Sequence, residues 1–396
     1  MIKKTKILIV NSGSSSLKSQ YFIDQKRVAS ITIEQIGEPS SISQITYGSK
    51  KKVDNQIVTN HHEALKKLFS LLKESKVLKN IEKLNAVGHR VVHGGSKFNS
   101  PTLINDEVIE AISSLTPLAP LHNPANLEAI KLIRDEYPKL NQVAVFDTAF
   151  HQTLKEYSYT YALPHKLCKD YDIRRYGFHG TSHSFVAKES AKILGKKLKE
   201  LNLITLHLGN GASVTAIQAG KSIDTSMGMT PLEGLVMGTR SGDIDPAIIP
   251  YLFKNSNKSI EEIENILNKQ SGLKGICDIN DMREVLKQSE NQNKKAKLAL
   301  DIFVYRIKKY IGAYTVALGK VDAIVFTGGI GEHSPKVREL ICQGLDQSIG
   351  AKLNKSKNNN SKVKINSKNS KIKILNISTN EELEIALQTV GVLKLY

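Results

Sequence analysis

The sequence predicts an α/β protein built of two similar lobes with a cleft between them. Three observations carry that prediction. The chain has 396 residues, too many for one compact core and well suited to two domains of roughly 200 residues each. Its opening recurs half a chain later, where KILIVNSGSSSLK at 6–18 is answered by LITLHLGNGASVT at 203–215. Short apolar runs of strand type then alternate with helical periodicity.

Each copy of the opening reads as a β-type run, a small-residue turn with glycine, and a return to alternating residues. That pattern is a strand, a tight hairpin and a second strand. Aligning Gly13 with Gly209 sets Asn11 against His207. Residues 143–145 and 323–327 read as short buried strands running into polar or glycine-rich turns, where the sites of α/β proteins lie. Helical patterns occur at 60–76, 126–136, 182–194, 260–269 and 294–318. In the last of these, Leu298, Ile302, Tyr305, Ile307 and Ile311 form the predicted core stripe. Thr379-Asn380-Glu381-Glu382 precedes another periodic apolar run and predicts the helix that closes the chain.

Composition narrows the function. With 40% hydrophobic and 24% charged residues, the chain is an ordinary soluble globular protein, neither disordered nor fibrous. No window approaches the ~18 apolar residues of a membrane span. The N-terminus offers only Ile7 to Val10 as an apolar run, so export is not expected. Cys168, Cys277 and Cys342 lack metal-ligand spacing and a disulfide framework, which fits the cytoplasm. The net charge is +18, and 351–375 holds eight lysines and no acidic residue. Lys50, Lys51 and Lys52 form another patch. Without interleaved aromatics these runs lack the stacking groups of single-strand binders, so nucleic-acid and membrane partners are not predicted.

Three turns could hold phosphate or nucleotide. Asn11-Ser12-Gly13-Ser14-Ser15-Ser16 with Lys18 combines backbone amides, hydroxyls and a cation, although no P-loop GK[ST] follows, and a plain hairpin turn explains it as well. His207-Leu208-Gly209-Asn210-Gly211 and Phe326-Thr327-Gly328-Gly329-Ile330-Gly331-Glu332 are the others. Arg90 in 88–95 and Arg240 in 238–243 each stand among small residues, which suits gripping an oxyanion or forming a buried ion pair.

His179 and His183 are four apart, but Gly180 and the following Thr-Ser pair predict a helix start after His179. The glutamate of an HExxH site is also absent, so zinc is not predicted. A histidine at that place suits donation to an anion. Asp147 ends a buried strand, where it could position a group, link to a metal or cap a helix. Asp245, Asp281 and Glu381 are acidic residues in polar loops, any of which could hold magnesium.

The segments VNSGSSSLK, GHRVVHGG, PLAPLHNPAN, VFDTAFHQT, YGFHGTSH, HLGNGAS, DTSMGMTPLEGLVMGTRSGDIDP, FTGGIGE and TNEE follow in that order. Together, from Ile7 to about Ala386, they resemble the acetate kinase (acetokinase) family of the acetate and sugar kinase/Hsp70/actin superfamily. The resemblance implies two lobes built on a duplicated βββαβαβα unit. It places an N-terminal lobe at 1–149, with a terminal helix at about 383–396 packing on it, and a nucleotide-binding, dimer-forming lobe at 150–382. It further implies reversible transfer of the ATP γ-phosphoryl group to acetate, giving acetyl phosphate and ADP, with Mg²⁺ (Mn²⁺ as a substitute) and a homodimer.

Carried over by position, the resemblance gives Arg90 the acetate carboxylate, and His179 and Arg240 the transition state. Asp147 matches the active-site carboxylate, while Asn11 and Glu381 match the metal positions. Ser14, Ser16 and Lys18 match the phosphate side. His207, Leu208, Gly209, Asn210 and Gly211, with Asp281, Met282 and Arg283, match nucleotide-binding stretches, as do Gly329, Ile330, Gly331, Glu332 and His333. Val92, Leu121, Phe178 and Pro231 match the apolar pocket for the methyl group. Two departures stand out: His333 replaces the family's common Asn, and 351–373 reads as a surface excursion. A propionate kinase of the same fold and a non-catalytic ATP-dependent interaction protein are the alternatives.

Overall fold

The computed structural model describes residues 4–120 and 122–395. The chain divides into two compact units, Met1–Phe150 with Asn380–Tyr396, and His151–Thr379.

The first unit is built on an eight-stranded sheet. Its strands are β1 (Lys6–Ser12), β2 (Ser16–Ile23), β3 (Lys26–Glu34), β4 (Ile42–Tyr47), β5 (Lys50–Asp54), β6 (Ala86–Val91), β7 (Thr102–Leu103) and β8 (Gln142–Phe146). Their order is β5-β4-β3-β2-β1-β6-β8-β7. The first five form an antiparallel meander, and β1, β6 and β8 run parallel.

A parallel strand covered on both faces reads as a continuous apolar run, and Ile7, Leu8, Ile9 and Val10 are all buried. Strand periodicity sends Leu8 and Val10 into one core cluster, with Leu65 and Leu68 of helix His61–Glu74 and Ile133 of helix Asn123–Glu136. Ile7 and Ile9 point the other way, into a cluster with Ile385 and Ala386 of the terminal helix Glu381–Leu393. That helix lies close on β6 because position 88 is glycine. A Cβ there would sit 2.5 Å from Thr389 Oγ1 and 2.8 Å from Ile9 Cδ1.

The second unit carries β9 (Asn202–Leu208), β10 (Ala212–Gln218), β11 (Lys221–Thr225), β12 (Ala323–Thr327) and β13 (Lys373–Asn376). Their order, β11-β10-β9-β12-β13, repeats that of β3-β2-β1-β6-β8: three antiparallel strands followed by two parallel ones. The repeated sequence thus becomes a repeated topology.

Two expectations need correction. Helix Lys294–Leu318 has the expected bounds, but Leu298 and Tyr305 are 53% and 65% exposed. Its buried residues include Leu300, Phe303, Val304, Ile307, Ile311, Tyr314 and Leu318. Two apolar stripes run along this helix, and the one spaced 300-304-307-311-314-318 wins the core because it continues further. Segment 351–373, expected as a surface excursion, is folded into its unit. Ala351, Ile365 and Asn358 are fully buried, and bridges pair Leu353 with Asn366 and Lys364 with Leu375.

Smaller differences concern helix bounds. The helix expected from 126 starts at Asn123, and that expected from 182 starts at Gly180. Helix Ile260–Asn265 passes into a π-helical turn at Ile266–Gln270. Among the described residues no helix is long and apolar enough to cross a membrane, and the three cysteines are free and buried.

Candidate functional site

In the first unit, strand ends gather the polar groups. Asn11 closes β1, Arg90 lies at the end of β6, and Asp147 directly follows β8, all at the carboxyl ends of parallel strands. Asp147 is 1% exposed and takes the Arg90 guanidinium as a fork, with Nε donating to Oδ2 at 3.0 Å and Nη2 donating to Oδ2 at 2.6 Å. Arg90 Nη1 also donates to Asn11 Oδ1 at 3.4 Å. Burial alone would push this guanidinium down; Asp147 and then Glu381 outweigh it and hold the pKa above the ordinary arginine range.

Asn11 pairs across the hairpin with Lys18, which is exposed, and the turn is closed by Gly13 N–H donating to Ser16 O at 2.7 Å. Ser14 is exposed and Ser16 half-buried in that turn. Val92 is buried just beyond β6, its N–H donating to Asn126 Oδ1 at 3.1 Å. Asn126 Nδ2 in turn donates to Ser12 O at 2.6 Å, tying helix Asn123–Glu136 to the hairpin. Leu121 lies outside the described residues.

Glu381 is the first residue of the terminal helix, whose Asn380 side chain caps the N–H of Leu383. Beside it stands Glu382, which the sequence reading passed over. Its carboxyl is raised by burial first and by the Glu381 charge next. A chain reading of TNEE as a helix start hid this second acid.

Among the described residues no group of three or more His, Cys, Asp or Glu forms a metal cage. Two oxygen donors of this unit, the Asn11 amide and the Glu381 carboxylate, nevertheless suit magnesium. That ion takes hard oxygen ligands, uses few from the protein and keeps several waters. Two other acids are engaged elsewhere. Asp245 Oδ1 accepts from Ala247 N, and Asp281 caps helix Met282–Glu290 while gripping Arg283, which holds its carboxyl down at about 2.

In the second unit, His179 is the residue before helix Gly180–Leu194 and adopts a left-handed φ of 58°. For a non-glycine residue this costs roughly 1–2 kcal/mol, so local backbone preference does not put it there. Its Nδ1 lies 2.9 Å from Ser213 Oγ, and His183 Nε2 meets the same hydroxyl at 2.8 Å. The two histidine rings expected to diverge therefore converge on one serine of β10. Burial pushes His183 well below the ordinary imidazole value, leaving it neutral. His207, at the end of β9, stacks on His179 with centroids 4.3 Å apart and meets Ser182 Oγ at 2.8 Å.

Arg240 joins this group. A Cβ placed on Gly211 would lie 3.5 Å from Arg240 Nη1 and 3.6 Å from His179 Nε2, so the guanidinium, the imidazole and the bare hairpin turn surround one small space. Gly238 lets the arginine loop close on that turn: its N–H donates to Asn210 O at 2.9 Å, and a Cβ there would collide with Asn210 Oδ1 at 1.9 Å. Among the described residues Arg240 has no carboxylate partner, and burial alone lowers its pKa. Phe178, buried, accepts at its carbonyl from His151 Nε2 at 2.9 Å, and Pro231 lies half-buried in the same unit.

A cavity of about 810 Å³ in this unit brings three predicted stretches together: Asn210, Asp281 to Arg283, and Gly329 with Ile330 and His333. Asn280, Leu286, Ser334, Pro335 and Lys336 complete its wall and were missed, having no motif of their own. Gly209 sits in the adjoining turn, while Leu208 is core and Gly331 is buried. Glu332 is turned away from the cavity. Its Oε1 accepts from Gly328 N and Thr379 N, both at 3.0 Å, so the carboxylate fixes the loop.

The acetokinase family model matches residues 6–387. An acetate kinase of Sulfurovum sp. is 60% identical over 387 residues, covering 97% of this chain and 98% of its own. An acetate kinase of Helicobacter acinonychis is 51% identical, covering 98% and 99%. Among solved structures, a propionate kinase of Francisella tularensis is 45% identical with a TM-score of 0.92, covering 97% and 98%. Porphyromonas gingivalis acetate kinase is 41% identical, also at 0.92, covering 98% and 100%.

Proposed function

This chain belongs to the acetokinase family, and on that premise we propose that it is an acetate kinase, transferring the ATP γ-phosphoryl group reversibly to acetate. The observation that carries this reading is the surroundings of Arg240: a guanidinium without a carboxylate partner among the described residues, beside His179 and a turn lacking side chains. Such a group is suited to an incoming anion. A carboxylate and a triphosphate repel each other, so bringing them together needs concentrated, preorganised positive charge.

Arg90 binds the acetate carboxylate, and Asp147 holds it in place from behind. Acetate is already deprotonated near neutrality, so attack needs no general base. Asp147 acts through its grip on Arg90, and transfer proceeds in line with no phosphoenzyme. His179 and Arg240 donate to the phosphoryl oxygens as charge spreads over them. Val92, Leu121, Phe178 and Pro231 take the methyl group. Ser14, Ser16 and Lys18 serve the phosphates, and the 810 Å³ cavity takes the nucleoside. Asn11 and Glu381 would hold Mg²⁺, partly through water, and the bound ion would supply charge neutralisation at the phosphates.

Buried free cysteines suit a reducing cytoplasm. The exposed Ile248, Tyr251 and Phe253 of helix Ile248–Asn255 supply apolar surface for a homodimer.

An acyl phosphate reacts with hydroxylamine to give a hydroxamate, so the reaction product itself is accessible. Purified protein with MgATP, acetate and hydroxylamine should form acetohydroxamate and ADP in equal amounts. ADP formation without hydroxamate would refute transfer to the carboxylate. A larger yield from propionate would retain the mechanism and change the acid.

A further inference from the structure

Arg338 is the largest fully buried side chain among the described residues, yet it has no acidic partner there. Its donors are spent on neutral oxygens. Nη1 donates to the carbonyls of Gly331 at 2.8 Å and Glu332 at 2.7 Å, in the last turn of the short helix Gly328–His333. Helix-end carbonyls lack intrahelical partners and carry partial negative charge, so a buried cation there is electrostatically matched. Nε donates to Asn358 Oδ1 at 2.7 Å, and Nη2 donates to Asn358 O at 3.0 Å.

Asn358 is itself fully buried, although it lies in the lysine- and asparagine-rich stretch on the short helix Lys355–Asn359. Its Nδ2 donates to Pro335 O at 2.8 Å. Two side chains thus tie segment 354–361 to Gly331, Glu332 and Pro335. Between and beside those anchor points lie Gly329, Ile330, His333, Ser334 and Lys336, which line the cavity.

We infer that Arg338 and Asn358 are positioning residues for nucleotide binding, and that the lysine-rich segment braces the wall of the nucleotide cavity. This rests on reading the 810 Å³ cavity as the nucleotide site. Neither residue touches the nucleotide; the pair fixes the loop whose backbone and His333 meet it. Glu332 pins the start of the same loop through Gly328 N, so the Arg338–Asn358 pair supplies the second anchor at its end.

The test compares wild type with Asn358→Ala, Asn358→Asp and Gly329→Trp, using ADP titration, KM for ATP and acetate, and peptide-level hydrogen exchange. Asn358→Ala removes the acceptor of Arg338 Nε and should raise the ADP Kd and the KM for ATP about 5- to 20-fold. The KM for acetate and kcat should stay within about twofold. Exchange should rise in 328–336 and stay unchanged in 203–218. Asn358→Asp keeps the acceptor for Arg338 Nε but gives up the Nδ2 donor to Pro335 O, so it should fall between wild type and alanine.

Gly329→Trp fills the cavity, since a Cβ at Gly329 meets nothing within 4 Å. If it leaves the ADP Kd unchanged, the nucleotide reading of the cavity fails. If it weakens ADP binding while Asn358→Ala does not, the brace is refuted and the cavity assignment stands. Exchange that rises equally in 203–218 would mean a general loss of stability and would also overturn the proposal.

Discussion

Arg90 and Arg240 stand in similar sequence surroundings, each among glycines, and meet opposite electrostatic fates. Arg90 is gripped by a buried carboxylate through a two-pronged bond, and its charge is matched before any ligand arrives. Arg240 is desolvated with no such partner among the described residues, and its pKa falls for that reason alone. A matched guanidinium is oriented at little cost and can lend its remaining face to a carboxylate. An unmatched one is held at a cost to stability that an incoming phosphoryl group offsets, which is how binding energy becomes selective for the transition state. Of the two outcomes open from the sequence, the buried ion pair is present at Arg90, while Arg240 is left with its charge unmatched among the described residues.

The largest expected effect follows from the unmatched partner. Arg240→Ala should lower kcat about 10³-fold with little change in the KM for acetate, as expected for a contact strengthened in the transition state. Its melting temperature should hold or rise, because a desolvated charge has been removed. A clear fall in melting temperature would show that Arg240 has a structural partner after all.

Arg90→Ala should lose both properties. Taking the fork from a buried Asp147 costs about 3–5 kcal/mol, so the melting temperature should fall by roughly 6–20 °C, with acetate KM raised strongly. Thermal unfolding of the two variants side by side checks the contrast. Equal shifts would erase it.

Acid should separate the two units. Burial lowers His89 and His151 to about 4 and His183 well below its ordinary value. The unfolded histidine, near 6.5, binds its proton first, so stability is complete above that pH and is lost as pH falls toward 4. By pH 5 His89 and His151 each withdraw about 2 kcal/mol, and His183 acts in the same direction. His89 lies in the first unit, whereas His151 and His183 both lie in the second. Hydrogen exchange at pH 5 should therefore rise more in 203–218 than in 6–23; the reverse order would contradict the assignment.

The smallest effect concerns the acid itself. Val92→Ala enlarges the proposed methyl pocket by two carbons and should shift the propionate-to-acetate ratio of kcat/KM about 5- to 10-fold toward propionate. An unchanged ratio would remove Val92 from the pocket.

These contrasts also show what a single sequence makes legible. The strands β1 and β9 and their hairpins follow from apolar runs and turn glycines, because those signals are local, whereas the duplicated unit is what the family resemblance implies. Arg90, Asp147, His179 and Arg240 stood out through unusual neighbours. Arg338 did not, since within VRELIC it resembles the polar side of an amphipathic helix, and its partner Asn358 lies in a stretch that reads as a solvated loop. The stripe of helix Lys294–Leu318 was misassigned for a related reason. Two apolar faces compete there, and tertiary packing chooses between them. Glu382 and the cavity wall at Asn280 and Lys336 depend on distant segments meeting, which no local pattern records.

The measurement that bears most directly on the account is ADP release from MgATP with acetate, propionate or no acid, in wild type, Arg90→Ala and Arg240→Ala. Wild type should show acetate-dependent turnover, weaker turnover with propionate and little without acid, and turnover should collapse in both variants. Nucleotide binding with no acid-dependent turnover in the wild-type protein would contradict the kinase reading and point to the non-catalytic alternative.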